Sequence, residues 1–336
     1  METSELLLDL YRAAREEPEG VFEEHALTIL KQALGFESAI WGNGRLHADG
    51  HLTPHVVHLH RQPREALQEW ARINVKDPVA ALCSTNPGSA FRFHAPTLFA
   101  KPRSGAMRAY AKRYGRQSYM VCGMQVEAQP DLLAWLSVYR SDSDAHFTEA
   151  ERERYSQLMA HLHEALQINR RLQLCQTFDA RAPEVLAIAD PWGYLHTPPD
   201  DVRELLGAEW PRFVSGRLPE PLVDALNAEQ EATYRGRAIW VRSRVVGGLL
   251  FLRMRRRSLL DGLSARERQV ADIIAGGLSA KESGKTLGLA PATIRVHLKR
   301  IYDKLAVHSQ AELAYVIGQS HLRLDSPVAP VVREAG

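Results

Sequence analysis

The chain has 336 residues, 45% of them hydrophobic and 24% charged, with a formal net charge of +2. That length holds two or three domains, and no apolar run approaches the roughly 20 residues of a membrane-crossing helix. Three widely spaced cysteines, Cys83, Cys122 and Cys175, argue against a disulfide framework and for a reducing cytoplasm.

The charge is segregated. Residues 171–234 hold 5 basic and 11 acidic side chains, a balance of −6; residues 235–257 hold eight arginines and no acid; residues 263–325 hold 9 basic and 6 acidic groups, a balance of +3. A basic C-terminal third behind an acidic middle points to contact with a polyanion through that end.

The opening stretch, METSELLLDLYRAAREE, is acidic and lacks a secretory leader's basic start. Two helices are expected over residues 4–34, with Gly35 ending the second. Strands are expected at Ser38–Trp41, Arg45–Ala48 and His55–His60, the first two separated by a turn at Gly42-Asn43-Gly44. Residues 63–84 read as helical with a break at Asp77-Pro78, and 103–114 as helical again. Ser118–Val126 and Leu132–Tyr139 read as longer strands. A long helix over 147–173 opens at Thr148-Glu149 and carries an apolar line through Tyr155, Leu158, Leu162, Ala165 and Leu166. That line needs a cover and marks a candidate dimer interface. The element order predicts an α+β domain with an antiparallel sheet.

Residues 177–257 form a second unit, loop-rich at its prolines. It ends in a hairpin of Ala238–Arg242 and Leu249–Arg253 around Val245-Val246-Gly247-Gly248. Arginines alternate with apolar residues there, as on a solvated sheet face.

Within 279–288 the string SAKESGKTLG comes one glycine short of a phosphate-binding loop. Such a loop must leave a strand, yet Val270, Ile273 and Ile274 upstream have helical spacing. Three Ser-x-x-Glu capping boxes, at Ser264, Ser279 and Ser309, and a proline start at Pro291 instead predict four helices, 265–275, 280–287, 291–305 and 310–319. In the third, Ile294, Leu298, Ile301 and Leu305 form a buried stripe. Arg295 and Lys299 lie off it, one turn apart, placed to read adjacent base edges in a major groove. Thr293 suits a phosphate near the helix start, with His297 beside it. Lys281, Lys285, Arg300 and Lys304 suit phosphates further out.

Residues 263–317 closely resemble the LuxR/FixJ-type helix-turn-helix, through Leu263-Ser264, Arg266-Glu267, Val270, Gly277-Leu278-Ser279, Lys281-Glu282, Leu287-Gly288-Leu289, Thr293-Ile294-Arg295-Val296-His297 and Lys304-Leu305. The resemblance implies a four-helix domain that binds double-stranded DNA as a homodimer, with Arg295, Val296 and Lys299 facing the bases. The family usually has an apolar residue and then alanine where this chain has Ser283-Gly284. The exchange predicts a looser first helix of the motif, with about 1 kcal/mol lost to the glycine.

The front end resembles GAF-like sensor domains over 1–174 and, weakly, a PAS-like unit over 177–257, ahead of the DNA-binding domain at 262–325. It is also similar to the autoinducer-binding domain of quorum-sensing receptors. Asp77-Pro78 matches their Asp-Pro pair, Phe91 or Phe93 stands for the following aromatic, and Gly123 for a pocket glycine. Their preceding tryptophan and tyrosine fall near Arg64 and Gln68 here. Asp77-Pro78 also reads as a helix cap. Trp41, Trp70, Phe91, Phe93, Tyr110, Tyr119 and Trp135 are candidates to line an apolar cavity anchored by Asp77. His47, His51, His55, His58 and His60 lack a completing acid or cysteine, so no metal is expected, nor any cofactor. Cys83 and Cys122 read as buried small hydrophobes, with redox sensing as the alternative.

These readings predict a cytoplasmic, ligand-responsive transcription regulator. The alternatives are a constitutive DNA-binding regulator whose front end only dimerises and an acyl-homoserine lactone receptor. No nucleophile–base pair or acidic dyad suggests catalysis.

Overall fold

The computed structural model describes residues 3–325 except 19, 74–77, 127–128, 179–183, 197–199 and 214–215. Helices α1 (Thr3–Glu16) and α2 (Val21–Leu34) precede strands β1 (Ser38–Leu46) and β2 (Leu52–His60). Helices α3 (Arg64–Ile73) and α4 (Pro78–Thr85), strand β3 (Ala90–His94), the short α5 (Ala95–Leu98) and α6 (Gly105–Arg113) follow. Strands β4 (Ser118–Val126) and β5 (Gln129–Arg140) lead into the long α7 (Glu149–Thr177). The strands form one antiparallel sheet in the order β2-β1-β5-β4-β3.

Strand alternation divides this sheet into two chemically different faces. Ala39, Trp41, Met120, Cys122, Leu136 and Val138 face α1, α2 and α7 in a continuous apolar core. Leu52, Val121, Leu133 and Trp135 face the other way, toward α4. Helix α7 is capped by Thr148 and Glu151 in a reciprocal capping box. Its line of Tyr155, Leu158, Leu162, Ala165 and Leu166 is buried inside this core, and the Tyr155 hydroxyl donates to the Leu136 carbonyl at 2.7 Å. The apolar line is therefore covered by its own chain and offers no free dimer face.

The turn expected at residues 42–44 is not a turn. A single strand runs through it, and the pairing with β2 shifts register between Gly42 and Gly44. A Cβ at Gly42 would lie 2.7 Å from the Val56 carbonyl oxygen, and one at Gly44 2.3 Å from that of Thr53. The glycines admit a neighbouring backbone rather than reverse the chain.

The middle unit comprises β6 (Val185–Ala189), α8 (Asp200–Glu209), α9 (Glu220–Leu226), β7 (Glu231–Arg235), β8 (Ile239–Val246) and β9 (Leu249–Arg256). Its antiparallel sheet has the order β6-β9-β8-β7. One face packs on α8 and α9 through Val202, Leu206, Leu222 and Leu226. The other meets Leu174 and Phe178 from the end of α7 and Val56 from β2. Beside this junction, His55 Nδ1 lies 2.6 Å from Asp190 Oδ2, both side chains buried, and Trp192 stacks on the imidazole. The hairpin arginines face acids: Arg242 and Arg244 meet Glu231, Arg253 meets Glu184, and Arg255 meets Asp261.

Four helices complete the chain: α10 (Ala265–Ala275), α11 (Ala280–Leu287), α12 (Pro291–Leu305) and α13 (Gln310–Asp325). They share a core of Val270, Ile274, Ile294, Ile301, Leu305 and Leu313. The architecture is α+β, two antiparallel-sheet units followed by an all-helical one. Among the described residues no helix is long and apolar enough to cross a membrane.

Candidate nucleic-acid interface and ligand cavity

The string SAKESGKTLG is a helix with its cap. Ser279 Oγ accepts from the Glu282 amide, and Glu282 Oε2 accepts from the Ser279 amide at 2.9 Å. Gly288 ends the helix in the left-handed conformation, φ 64°. The chain then folds back over Gly284: the Leu289 amide donates to the Gly284 carbonyl at 2.9 Å. A Cβ on Gly284 would lie 2.6 Å from the Leu289 carbonyl oxygen. Its cost in helix propensity thus accompanies a tight turn rather than a loosened helix. Ser283 does sit in the core, fully buried, and its hydroxyl has no partner among the described residues, which is unfavourable.

Helix α12 buries Ile294, Ile301 and Leu305 and exposes Thr293, Arg295, Val296, Lys299 and Arg300. Lys281 and Lys285 are exposed on α11. Arg266, Arg268 and Lys304 are engaged within the domain. Arg268 pairs with Asp272 at 3.1 Å, Arg266 donates to the Leu287 carbonyl, and Lys304 donates to Glu267 at 2.6 Å. None of Lys281, Lys285, Arg295, Lys299 and Arg300 has an ion pair among the described residues. Exposed cations without an ion pair among the described residues are thus gathered on the α11–α12 face. Lys304 departs from that set, because Glu267 holds it. That hydrogen bond and the Ser264 amide hold the Glu267 carboxyl down at about 2. His297 is only half-exposed, and its Nδ1 is buried without a partner.

In the N-terminal unit the sheet face opposite α7 forms a cavity of about 80 Å³ beneath α4, lined by Leu52, Trp70, Val79, Val121, Leu133 and Trp135. It shares Trp70, Val79, Arg116, Ser137 and Tyr139 with a larger cleft of about 840 Å³ that also reaches Tyr110 and Tyr119. Four expected aromatics, Trp70, Tyr110, Tyr119 and Trp135, therefore line connected space. Phe91 and Phe93 pack in the apolar layer beside it, Phe93 stacked on Tyr119. Trp41 points the other way, since strand alternation puts it on the α7 face. It lines a separate space of about 120 Å³ with Arg170 and His196. Asp77 lies outside the described residues, and α4 starts at Pro78. Gly123 lets α4 sit on the sheet, because a Cβ there would come within 2.4 Å of Cys83 Cβ.

The sequence reading missed Arg116. Its residue is 7% exposed, yet it lines both parts of the space. Nε and Nη2 donate to Gln62 Oε1 at 3.2 and 2.9 Å, and Nη1 donates to the Tyr110 hydroxyl. The guanidinium carbon lies 4.8 Å from the Tyr110 ring centre and 4.9 Å from that of Tyr139.

The histidines of β2 are split between two acids. His58 and His60 both contact Glu24, and His55 contacts Asp190. Among the described residues no group of three or more His, Cys, Asp or Glu is placed to hold a metal. Cys122 is fully buried on the α7 face, and burial pushes its thiol up to about 12. A thiol held protonated at neutral pH is poorly suited to redox chemistry and fits the reading of a buried small hydrophobe.

Residues 261–317 match the bacterial regulatory proteins of the luxR family. They form a LuxR-family domain. The transcriptional regulatory protein UhpA of Salmonella typhimurium is 46% identical over 55 residues, covering 16% of this chain and 28% of that protein. The probable transcriptional regulatory protein NarL of Mycobacterium tuberculosis is 41% identical over 68 residues, covering 20% and 32%. The chain thus spans less than a third of the length of these relatives. A solved structure, the N-acylhomoserine lactone-dependent LuxR-family factor CepR2 of Burkholderia cenocepacia, is 20% identical. It covers 51% of this chain and 95% of that one at a TM-score of 0.39, and at that score the likeness carries no argument about fold or ligand.

The LuxR-family match ends at residue 317, inside α13. Within it lie the Gly288 turn and the whole exposed cationic face of α11 and α12. The aromatic cavity lies outside it.

Proposed function

We propose that this protein is a ligand-responsive transcription regulator that binds operator DNA as a homodimer through its LuxR-family domain. The observation that carries the reading is the gathering, on the α11–α12 face, of exposed cations without an ion pair among the described residues, while Arg268 and Lys304 are paired with acids inside the domain. A helix buried on one side, with Arg295 and Lys299 one turn apart on the other, suits a major groove. Lys281, Lys285 and Arg300 flank it as phosphate contacts. The cavity in the N-terminal unit supports a ligand input: it is apolar, roofed by α4 and bordered by few polar groups.

A bound ligand shifts the population of arrangements of the two helical domains, and so their match to half-site spacing. Selection of operator sequences from a random duplex pool, followed by anisotropy titration with and without candidate ligands, tests the reading. Absence of any sequence preference rejects DNA-specific regulation, and operator affinity indifferent to every bound ligand rejects ligand response.

A further inference from the structure

We infer that the cavity of the N-terminal unit takes a small ring-bearing carboxylic acid as its anion, with the carboxylate on Arg116 and the ring against Trp70 and Trp135. This rests on the ligand-responsive reading and names the ligand class of that site.

The argument starts from charge. Arg116 is 7% exposed, and among the described residues no carboxylate pairs with it. A second buried arginine of the same unit, Arg170, does meet an acid, its Nη2 lying 4.0 Å from Glu23 Oε1. Burying a cation without a counter-ion is unfavourable, and a neutral amide oxygen and a phenol only partly offset it. Burial holds the Tyr110 phenol well above its ordinary value, so no phenolate supplies the missing charge. The tyrosine rings hold the guanidinium by their faces.

Donor geometry narrows the ligand. A guanidinium has five N–H donors. Gln62 takes one from Nε and one from Nη2, and Tyr110 takes one from Nη1. One N–H on each terminal nitrogen has no partner among the described residues. Two such donors match the two oxygens of a carboxylate. Gln62 is itself fixed, its Nε2 donating to Ser38 Oγ at 2.8 Å and to the Tyr114 carbonyl at 3.0 Å. The anion receptor is therefore built before any ligand arrives.

The rest of the wall sets the other end. The side chains of Leu52, Val79, Val121 and Leu133 are aliphatic, and Trp70 and Trp135 add indole rings to the lining. A phosphate would bring a second charge into this apolar wall. A singly charged acid with one ring satisfies both ends.

Isothermal titration calorimetry of the full chain at pH 7 with benzoate, phenylacetate, 3-phenylpropionate and indole-3-acetate, each against its amide, tests the inference. We expect at least one acid to bind, and to bind tenfold or more tighter than its amide. Arg116→Gln should abolish that preference and Arg116→Lys should keep part of it. The acid-to-amide ratio in the unsubstituted chain is the primary readout, so a poorly folding variant does not blunt the test. No binding by any of the four acids, or equal binding of acid and amide, overturns the inference. A neutral compound released from the denatured purified chain that shifts operator affinity would overturn it while leaving ligand-responsive regulation standing. Acid binding through Arg116 with operator affinity unchanged would do the reverse.

Discussion

In the helical domain the exposed cations without an ion pair among the described residues stand in solvent on α11 and α12; in the N-terminal unit Arg116 lies buried behind tyrosines, with no acid paired to it among the described residues. The first arrangement costs the fold little, because water solvates each charge. The second is tolerated only because Gln62 and the aromatic faces hold it. Surface function and stability should therefore separate in the helical domain and be entangled in the units before it.

The largest expected effect tests the first half of that contrast. Arg295→Ala with Lys299→Ala removes two exposed base-reading candidates, each worth about 1–3 kcal/mol of discrimination. Operator affinity measured by anisotropy should fall by a hundredfold or more, while the thermal unfolding midpoint stays within about a degree. A shared fall in both would show that the ridge is structural.

The second half is tested by acid. His196 is fully buried, and burial, then Arg170 and His55, lower its imidazole to about 3. It is neutral in the folded chain at pH values where the unfolded chain is already protonated. The stability it leaves intact above pH 6.5 should decline as pH falls from 6.5 toward 3, by about 1.4 kcal/mol per pH unit. Chemical denaturation of the chain at several pH values measures this, and His196→Gln should flatten the slope.

Gly123→Ala should cost about 1–3 kcal/mol by overpacking, since its Cβ would meet Cys83. It should weaken cavity ligands and leave operator affinity without ligand unchanged. Calorimetry and anisotropy on one preparation check both arms.

The smallest effect returns to the helical domain. Glu267 is held near 2, so its contribution is present above the ordinary carboxylate value of 4.5 and is lost as pH falls through about 2. Glu267→Gln should lower stability at neutral pH by about 1 kcal/mol, because the partly exposed Lys304 is screened by solvent. Urea denaturation should show that loss.

The two regions were also unequally legible. Capping boxes and glycine stops are local signals, so α10, α11 and α12 fall on the boundaries that Ser264, Ser279 and Pro291 announce, and only α13 runs longer, to Asp325. The cationic face was readable because helical spacing alone separates Arg295 and Lys299 from Ile294 and Ile301. In the sheet units the decisive facts are non-local. Helix α9 was hidden because Pro219 and Pro221 read as loop, whereas they cap and open it. Strand β3 was missed although Phe91 and Phe93 alternate, for its five residues gain meaning only beside β4. Trp41 joined the candidate pocket by residue type, and only the pleat shows it on the wrong face. Arg116 looked like one more cation in a basic stretch. Nothing in its local sequence says that Gln62 and Tyr139 would close around it.

Strand β2 gives the two sheet units a common spine. Leu52 and Pro54 border the aromatic cavity, while the next two residues, His55 and Val56, are held by the middle unit through Asp190 and the Leu249–Phe251 layer. A guest that displaces the cavity wall would sit barely two peptide bonds from residues held by the neighbouring sheet, whose strand β9 carries Arg255, clasped to Asp261 at the threshold of the helices. A cut between the sheet units is expected to sever that route.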